Sequence, residues 1–237
     1  MSGAPTWGSP DRPLRVVTID GPAGAGKSTI ARMLARELGF TYLDTGAMYR
    51  AATWHVLQSG IPLEDPDALT AAVAGMNLRL EPGPAGMRVW VNDTDVTDVI
   101  RTPEITANIW RVDEVPGVRR VLVARQRTFG ETHDTVAEGR DMGTVVFPDA
   151  PCKFYMDASP ECRARRRAAE LSARGLQADF EQVLRDIVER DRKNMTRAVS
   201  PLRPAEDAVL IDTTDLSLEK VLQRVLAVAR ERLVTGS

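Results

Sequence analysis

The sequence predicts an α/β fold in three layers, with a parallel β-sheet between layers of helices. Two observations support this prediction. Short apolar segments alternate with helical patterns along the 237 residues, as expected for parallel strands that are joined by crossover helices. The first apolar run, from Leu14 to Ile19, is also followed by a glycine-rich turn and then by an amphipathic helical pattern that includes Ile30 and Leu34.

Five apolar segments are the predicted strands of the parallel sheet: Arg15–Ile19, Phe40–Leu43, Thr135–Ala137, Cys152–Met156 and Ala208–Ile211. A final helix is predicted from Leu218 to Leu233, with Ser217 as its N-cap, because a serine hydroxyl accepts hydrogen bonds from the first backbone N–H groups of a helix. One stripe of this helix is apolar and is expected to pack on the core: Leu218, Val221, Leu222, Val225 and Ala229.

Two excursions interrupt the predicted core. In the first, Asn77–Leu80 and Met87–Val91 flank a segment rich in proline and glycine, which predicts a hairpin and, with Asp95–Thr97, a small antiparallel sheet. A helix over Val118–Phe129 leads back to the core, and the second excursion is expected to form two basic helices. The predicted organisation is a flexible leader at residues 1–13, a core built from residues 14–57, 133–158 and 198–237, an inserted domain at residues 58–132 and a helical excursion at residues 159–197.

The composition limits the classes of function. Lysine and arginine total 31 residues against 33 acidic residues, so the formal net charge is −2 and any basic surface must be local, unlike the general field of a nucleic-acid-binding protein. No apolar stretch approaches the length of a membrane span, and residues 1–13 lack the apolar core of a secretory signal. Cys152 and Cys162 form no metal-binding pattern with the two histidines. These features predict a cytoplasmic protein with reduced thiols, and neither a nucleic-acid polymer nor a membrane as its partner. A monomer is expected, although these features do not determine the oligomeric state.

The glycine-rich turn, Gly21–Ser28, fits the pattern G-x-x-x-x-G-K-[ST]. Glycines in such a loop let successive backbone N–H groups turn towards a polyphosphate, and the start of the following helix adds further donors and a positive dipole end. Lys27 is expected to reach the terminal phosphates, and the Ser28 hydroxyl is a candidate ligand of Mg²⁺. A glycine turn that merely links a strand to a helix is the alternative. The filled motif and its correct flanks favour phosphate binding.

Two further segments follow predicted strands, at the edge where ligands bind in open α/β sheets. In Asp44–Arg50, the side chains of Thr45 and Arg50 could grip an acceptor anion, but a turn followed by a helix with a solvated arginine fits the spacing equally well. In the second segment, Arg140 and Asp141 place a forked cationic donor beside an acceptor carboxylate, which suits a base edge or a phosphate. A surface ion pair is the alternative, and the position at a strand end between glycines disfavours it.

The second excursion carries two cationic stripes. Arg163, Arg166 and Arg167 share one helix face, and the next helix, which is expected to begin at Asp179, aligns four residues: Arg190, Lys193, Asn194 and Arg197. Such side chains can neutralise the charge that develops on a transferring phosphoryl group. Exposed helices with salt bridges, such as Arg166 with Glu170, are the alternative, and Arg165 is assigned to that class.

Four segments of the chain resemble bacterial cytidylate (CMP/dCMP) kinases, which belong to the nucleoside monophosphate kinase group of P-loop proteins. They are Ile19–Thr29, Leu43–Arg50, Gly139–Ala150 and Arg197–Leu202. The resemblance implies a P-loop NTPase core, an acceptor-nucleotide-binding domain at residues 58–132 and a short helical lid within residues 159–197. It also implies transfer of the γ-phosphoryl group of ATP to CMP or dCMP, with Mg²⁺.

The resemblance assigns roles residue by residue. ATP would be held by Gly21, Pro22, Ala23, Gly24, Ala25, Gly26, Lys27, Ser28 and Thr29. The acceptor nucleotide would contact Thr45, Arg50, Arg119, Arg140, Asp141, Arg190, Asn194 and Arg197. The catalytic cations would be Lys27, Arg140, Arg166, Arg167, Arg190 and Arg197. Ser28 is the expected metal ligand, with Asp20, Asp44 and Glu138 as outer-sphere partners.

Two residues depart from the family pattern. Asn194 stands where an aspartate tied to ribose recognition is common, so the preference between CMP and dCMP stays open. Trp110 stands where a small hydroxyl residue is usual near the sugar. Two other functions are considered: a kinase for another small anion, such as a shikimate-like metabolite, and a GTP-dependent switch. The switch is disfavoured because the sequence has neither an Asn-Lys-x-Asp motif nor an Asp-x-x-Gly motif after the loop.

Overall fold

A computed structural model describes residues 15–83, 86–173, 175 and 177–235 of the chain. These residues form two compact units. The insert unit is Thr41–Asp134, and the sheet unit combines Arg15–Phe40 with residues 135–235. The insert unit includes residues 41–57, which the sequence assigns to the core, together with all of residues 58–132. The predicted leader, residues 1–13, lies outside the described residues.

The first half of the chain contains these elements: β1 (Val16–Asp20), α1 (Lys27–Leu38), β2 (Thr41–Asp44), α2 (Thr45–Gln58), α3 (Pro66–Gly75), β3 (Leu78–Gly83), β4 (Gly86–Val91), β5 (Thr94–Asp95), a 3₁₀ turn (Val99–Arg101), α4 (Pro103–Asp113) and α5 (Pro116–Thr132). The second half contains β6 (Thr135–Glu138), a π-helical turn (Met142–Val146), β7 (Cys152–Asp157), α6 (Pro160–Ala173), α7 (Phe180–Thr196), β8 (Val209–Asp212) and α8 (Leu218–Thr235). Among the described residues, no helix is both long enough and apolar enough to cross a bilayer.

All five predicted strands are present, and each extends to an acidic residue that the apolar pattern did not include. These residues are Asp20, Asp44, Glu138, Asp157 and Asp212. The backbone, not the side chain, makes the hydrogen bonds of a sheet, so pairing continues one residue past the apolar run; Asp157, for example, lies opposite Asp212. The extension places a carboxylate at the carboxyl end of each strand.

The sheet unit contains four parallel strands in the order β6, β1, β7 and β8. Val17 of β1 lies between Val136 of β6 and Cys152 of β7, and every residue of β1 is buried. A continuous apolar strand of this kind is typical of the interior of a parallel sheet. Helix α1 packs against β6 and α8, and α8 packs against β7. The predicted α/β architecture is therefore confirmed.

The insert unit contains a three-stranded antiparallel sheet in the order β3, β4 and β5, as predicted. The hairpin is longer than the sequence pattern indicates, because the strands pair through Glu81 with Arg88 and on to Gly83 with Gly86. Val89 and Val91 of this sheet are buried with Leu69 of α3 and with residues of α2, α4 and α5. The unit therefore has a hydrophobic core of its own.

The C-terminal helix differs from its prediction at one residue. Ser217 caps α8 through its hydroxyl, which accepts a hydrogen bond from the backbone N–H of Lys220 at 3.4 Å. Val221, Val225 and Ala229 are buried as predicted. The prediction is wrong for Leu218, whose side chain is 49% exposed. A helical period identifies the stripe but does not show where the neighbouring elements end, and Leu218 lies in the first turn, beside a cavity described below.

We expect Gly117→Ala to destabilise the insert unit, because a Cβ at Gly117 would lie 2.0 Å from Thr70 Oγ1 and 2.9 Å from Thr70 Cβ. Overpacking of this kind costs about 1–3 kcal/mol, which outweighs the higher helix propensity of alanine. Urea denaturation measures the change in the free energy of unfolding. Gly75→Ala is the control, since a Cβ there would have no neighbour within 4 Å. Equal effects of the two substitutions would contradict the packing argument.

Candidate active site

The loop between β1 and α1 has the backbone of a phosphate-binding turn. Gly21, Gly24 and Gly26 adopt positive φ angles of 142°, 78° and 87°, which are favourable only for glycine. Helix α1 begins directly afterwards at Lys27, and no side chain caps its N-terminus. The first N–H groups of an α-helix have no intrahelical partners. Because no side chain caps them here, they are suited to bind an anion.

Gly21 is also required by packing. A Cβ at this residue would lie 1.9 Å from the backbone carbonyl oxygen of Met156 in β7. The end of β1 thus approaches β7 so closely that a side chain does not fit.

Side chains from several segments of the sheet unit donate hydrogen bonds to the backbone carbonyl groups of the loop. Five consecutive carbonyls are bound in this way: Gly21 by Arg140, Pro22 by Lys27 at 2.8 Å, Ala23 by Arg163 at 3.4 Å, Gly24 by Arg166 at 3.4 Å and Ala25 by Thr213 at 3.2 Å. The next carbonyl, of Gly26, accepts from the backbone N–H of Ile30 as part of α1. With these carbonyls engaged by side chains, the N–H groups of the loop remain suited to bind a polyphosphate.

Lys27 lies in a crowded field of charges. Burial lowers its pKa to about 7, and the positive charges of Arg140 and Arg190 act in the same direction, whereas Glu138 and Asp20 oppose them. A polyphosphate bound at the loop would favour the charged ammonium. The site is therefore built to receive negative charge.

The candidate metal ligand, Ser28, donates a hydrogen bond from its hydroxyl to Glu138 Oε2 at 2.9 Å. The hydroxyl and carboxylate oxygens fit Mg²⁺, which prefers oxygen ligands. The described residues contain no cluster of three or more metal-binding side chains. Mg²⁺ usually binds through one or two protein oxygens together with the phosphates of a nucleotide.

Asp20, one of the predicted outer-sphere partners, connects the end of β1 to the π-helical turn. Its carboxylate accepts hydrogen bonds from the backbone N–H groups of Met142 and Gly143, both at 2.8 Å. Burial raises the pKa of Asp20 to about 6, although these two hydrogen bonds act in the opposite direction. Asp141, which precedes this turn, is buried, and its backbone carbonyl accepts from Val145 and Val146.

The arginines of α6 are not equivalent, although the sequence places them on one face. Arg166 donates to the hydroxyl and the carbonyl of Thr213 at 3.0 and 2.7 Å as well as to the loop. Arg167 forms a surface ion pair with Glu170 at 3.0 Å, so the partner of Glu170 is Arg167 and not Arg166.

Arg163, which the sequence places in a cationic stripe with Arg166 and Arg167, is buried. It is paired with Asp191 of α7 at 2.5 Å, and it donates to the carbonyl of Ala158 at 2.8 Å. The carboxylate of Asp191 draws this side chain inwards. Helical spacing alone could not reveal a partner on another helix.

The remaining predicted site residues of the sheet unit lie on α7, the second basic helix, or directly after it. Arg190 is exposed. The helix ends at Thr196, and the Arg197 side chain donates to the carbonyl of Ser200 at 2.6 Å. The backbone carbonyl of Asn194 accepts from Leu202 at 2.8 Å, whereas its side-chain Nδ2 is buried and has no hydrogen-bond partner among the described residues. A buried donor of this kind calls for a ligand or a water molecule.

The insert unit holds the other predicted acceptor-binding residues. Thr45 is buried in the first turn of α2, and Arg119 is buried with its guanidinium 5.5 Å from the centre of the Tyr49 ring. Trp110 on α4 is half exposed, and the guanidinium of Arg111 covers its ring.

Asp44, the third predicted outer-sphere partner, forms ion pairs with Arg50 at 3.2 Å and with Arg101 at 3.3 Å. Arg101 was not among the predicted site residues, because no sequence motif connects it with Asp44, which lies 57 positions earlier.

A cavity of about 410 Å³ opens beside the loop within the sheet unit. Its lining includes the loop and the start of α1, the polar side chains of Arg166 and Thr213, and the apolar side chains of Leu216 and Leu218. A cavity of this size, with both polar and apolar groups in its lining, fits a small ligand that carries phosphates and a flat apolar group. The sequence predicts the phosphate loop, but the leucines carry no motif.

Comparison with known proteins agrees with these features. The family model described as cytidylate kinase matches residues 17–231. A cytidylate kinase from Rhodococcus opacus is 50% identical over 222 residues, which cover 93% of this chain and 97% of that protein. A cytidylate kinase from Carboxydothermus hydrogenoformans is 46% identical over 212 residues, which cover 90% of this chain and 96% of that protein. A bifunctional pantoate ligase/cytidylate kinase from a Synechococcus strain is 48% identical over 231 residues, which cover 96% of this chain and 42% of that longer protein. The chain therefore belongs to the cytidylate kinase family, as its sequence motifs predicted.

Proposed function

We propose that the chain is a (d)CMP kinase, which transfers the γ-phosphoryl group of ATP to CMP or dCMP and forms ADP with CDP or dCDP. The donor half of this proposal is supported by the cavity whose lining includes both the phosphate loop and the apolar side chains of Leu216 and Leu218. The acceptor half follows from membership of the family. We place the activity in the cytoplasm and expect a monomer.

On the donor side, we assign the phosphates of ATP to the N–H groups of residues 21–29 and to Lys27. Ser28 would hold Mg²⁺ together with the phosphates, with Glu138 and Asp20 beyond it, and the ion supplies further neutralisation of the phosphate oxygens. Arg166 would stand over the phosphates from α6, since it already contacts the loop at Gly24.

We assign the adenine to the part of the same cavity that Leu216 and Leu218 line. Leu218 is exposed there although it belongs to the apolar stripe of α8, and a flat base would cover it.

On the acceptor side, we assign Arg140, Asp141, Arg190, Asn194 and Arg197 of the sheet unit to the nucleotide, with Thr45, Arg50 and Arg119 of the insert unit. The attacking atom is an anionic phosphate oxygen, so no strong general base is required. Catalysis then depends on positioning and on neutralisation of charge, for which these guanidinium groups and Lys27 are suited. We assign residues 159–197, with Arg167, to a lid that excludes water during transfer.

The proposal is tested by measuring ATP consumption with five acceptors: CMP, dCMP, UMP, AMP and shikimate. We expect rapid consumption with CMP or dCMP, none with shikimate and little without an acceptor. A GTP-dependent switch would instead bind GTP tightly without any acceptor. Strong activity with none of the five compounds would overturn the proposed reaction.

We expect Lys27→Ala to lower kcat at least about 100-fold, because the migrating phosphoryl group loses its closest fixed cation. Steady-state kinetics with CMP measure this effect. Lys220→Ala is the control, since Lys220 is an exposed lysine on α8. Near-normal kcat in a correctly folded Lys27→Ala protein would disprove the assigned role.

Asn194→Asp is expected to change the ratio of kcat/KM for CMP to that for dCMP. The substitution keeps an acceptor oxygen, replaces the unpartnered Nδ2 donor by a second oxygen and adds a negative charge. The measurement compares both substrates with both proteins under the same conditions. An unchanged ratio would show that this side chain does not contact the sugar.

A further inference from the structure

Two arginines share one carboxylate in the insert unit. Arg50, from α2, lies 3.2 Å from Asp44, and Arg101, at the end of the 3₁₀ turn, lies 3.3 Å from the same oxygen. The other oxygen of Asp44 accepts a hydrogen bond from the backbone N–H of Ala47 at 2.8 Å and so caps α2. We call these three residues the Asp44 cluster. One negative and two positive charges leave it with a net positive charge.

The three side chains of the Asp44 cluster differ in how far they are exposed to solvent. The Asp44 side chain is 9% exposed, whereas Arg50 is 22% and Arg101 is 47% exposed. The carboxylate therefore lies beneath the two guanidinium groups. An anion that approaches from outside meets the arginines first, at the N-terminus of a helix, where the dipole also favours negative charge.

The arginines of the cluster retain donors for a further partner. Their contacts with Asp44 are 3.2–3.3 Å long, whereas charge-assisted hydrogen bonds of this type are usually about 2.7–2.9 Å. On the same unit, Arg88 contacts Asp95 at 2.5 Å. Each guanidinium carries five N–H donors, and each of the two arginines binds Asp44 through its Nη2.

Close packing holds Arg50 across the start of α2. A Cβ at Gly46 would lie 3.2 Å from Arg50 Nη1 and 3.2 Å from Asp44 Oδ1. Gly46 therefore leaves room for the guanidinium directly over the first turn of the helix. This explains the glycine of the segment Asp44–Arg50 without any reference to a ligand.

We propose that Arg101 is a phosphate-binding residue for the acceptor nucleotide, which acts beside Arg50, and that Asp44 is the positioning residue for both. The inference rests on the proposed function and deepens it. A phosphate dianion suits two partly exposed guanidinium groups, since arginine binds phosphate oxygens through paired N–H donors. The neutral cytosine and the sugar of the acceptor offer no comparable charge. Arg101 thus recognises the nucleotide and not the nucleoside.

The test compares Arg101→Gln with the wild-type protein in two assays. Kinetics give KM for CMP and for ATP, and calorimetry gives the Kd of CMP and of cytidine, which lacks the phosphate. We expect KM and Kd for CMP to rise about 10- to 100-fold, as for loss of a hydrogen bond to a charged group, while KM for ATP and the Kd of cytidine stay within twofold. Arg101→Lys keeps the charge without the fork and is expected to lie between the two.

Arg88→Gln is the matched control. Arg88 belongs to the same unit, its side chain is also 47% exposed, and it is also paired with an aspartate. We expect this variant to bind CMP as the wild-type protein does.

Each other outcome decides against the inference. An unchanged KM for CMP in Arg101→Gln, with an active wild-type protein, would overturn it and leave the proposed function intact. Equal weakening of CMP and cytidine would assign Arg101 a structural role only, and so would a loss of folding in both Arg101 variants. A wild-type protein that neither binds nor phosphorylates CMP would contradict the proposed function and this inference together.

Discussion

The hydrogen bonding of the phosphate-loop carbonyls is the interaction on which the rest of the site depends. Five side chains each bind one carbonyl of Gly21–Ala25: Arg140 after β6, Lys27 of α1, Arg163 and Arg166 of α6, and Thr213 after β8. These contacts hold the backbone of the loop in place. The sheet brings the donors together, because β1, β6 and β7 are adjacent and all end at the same edge.

Three of these donors are arginines, and they differ in function although they are the same residue type. Arg163 is buried and paired with Asp191, so it connects α6 and α7 to the loop and supports the site. Arg140 and Arg166 are only partly buried, and we assign them to the phosphates of the nucleotides. Burial, together with the positive charges of Arg140 and Arg190, lowers the pKa of Lys27, and an anionic ligand would favour its charged form.

The insert unit also holds arginine side chains in position, but it does so with a single carboxylate. Its Asp44 carboxylate is buried and binds two arginines, Arg50 and Arg101, whose side chains are more exposed than the carboxylate. Its core, formed by α2 to α5 and a small antiparallel sheet, fixes the helix start and the 3₁₀ turn from which these arginines project. The residues that we assign to the acceptor are thus held by packing within each unit.

Much of this protein is determined by its sequence alone, because local patterns have local physical causes. The alternation of apolar segments and helices, the glycines of the loop and the four family segments were sufficient to predict the sheet, the hairpin and the cytidylate kinase family. The tertiary structure decided which residues of other elements lie against a given side chain, because the period of a helix or strand does not specify them. Arg163 and Arg167 share a helix face, but only Arg163 meets a buried carboxylate, and Leu218 belongs to an apolar stripe but borders a cavity. Arg101 acquires its partner, Asp44, only when residues distant in sequence pack together.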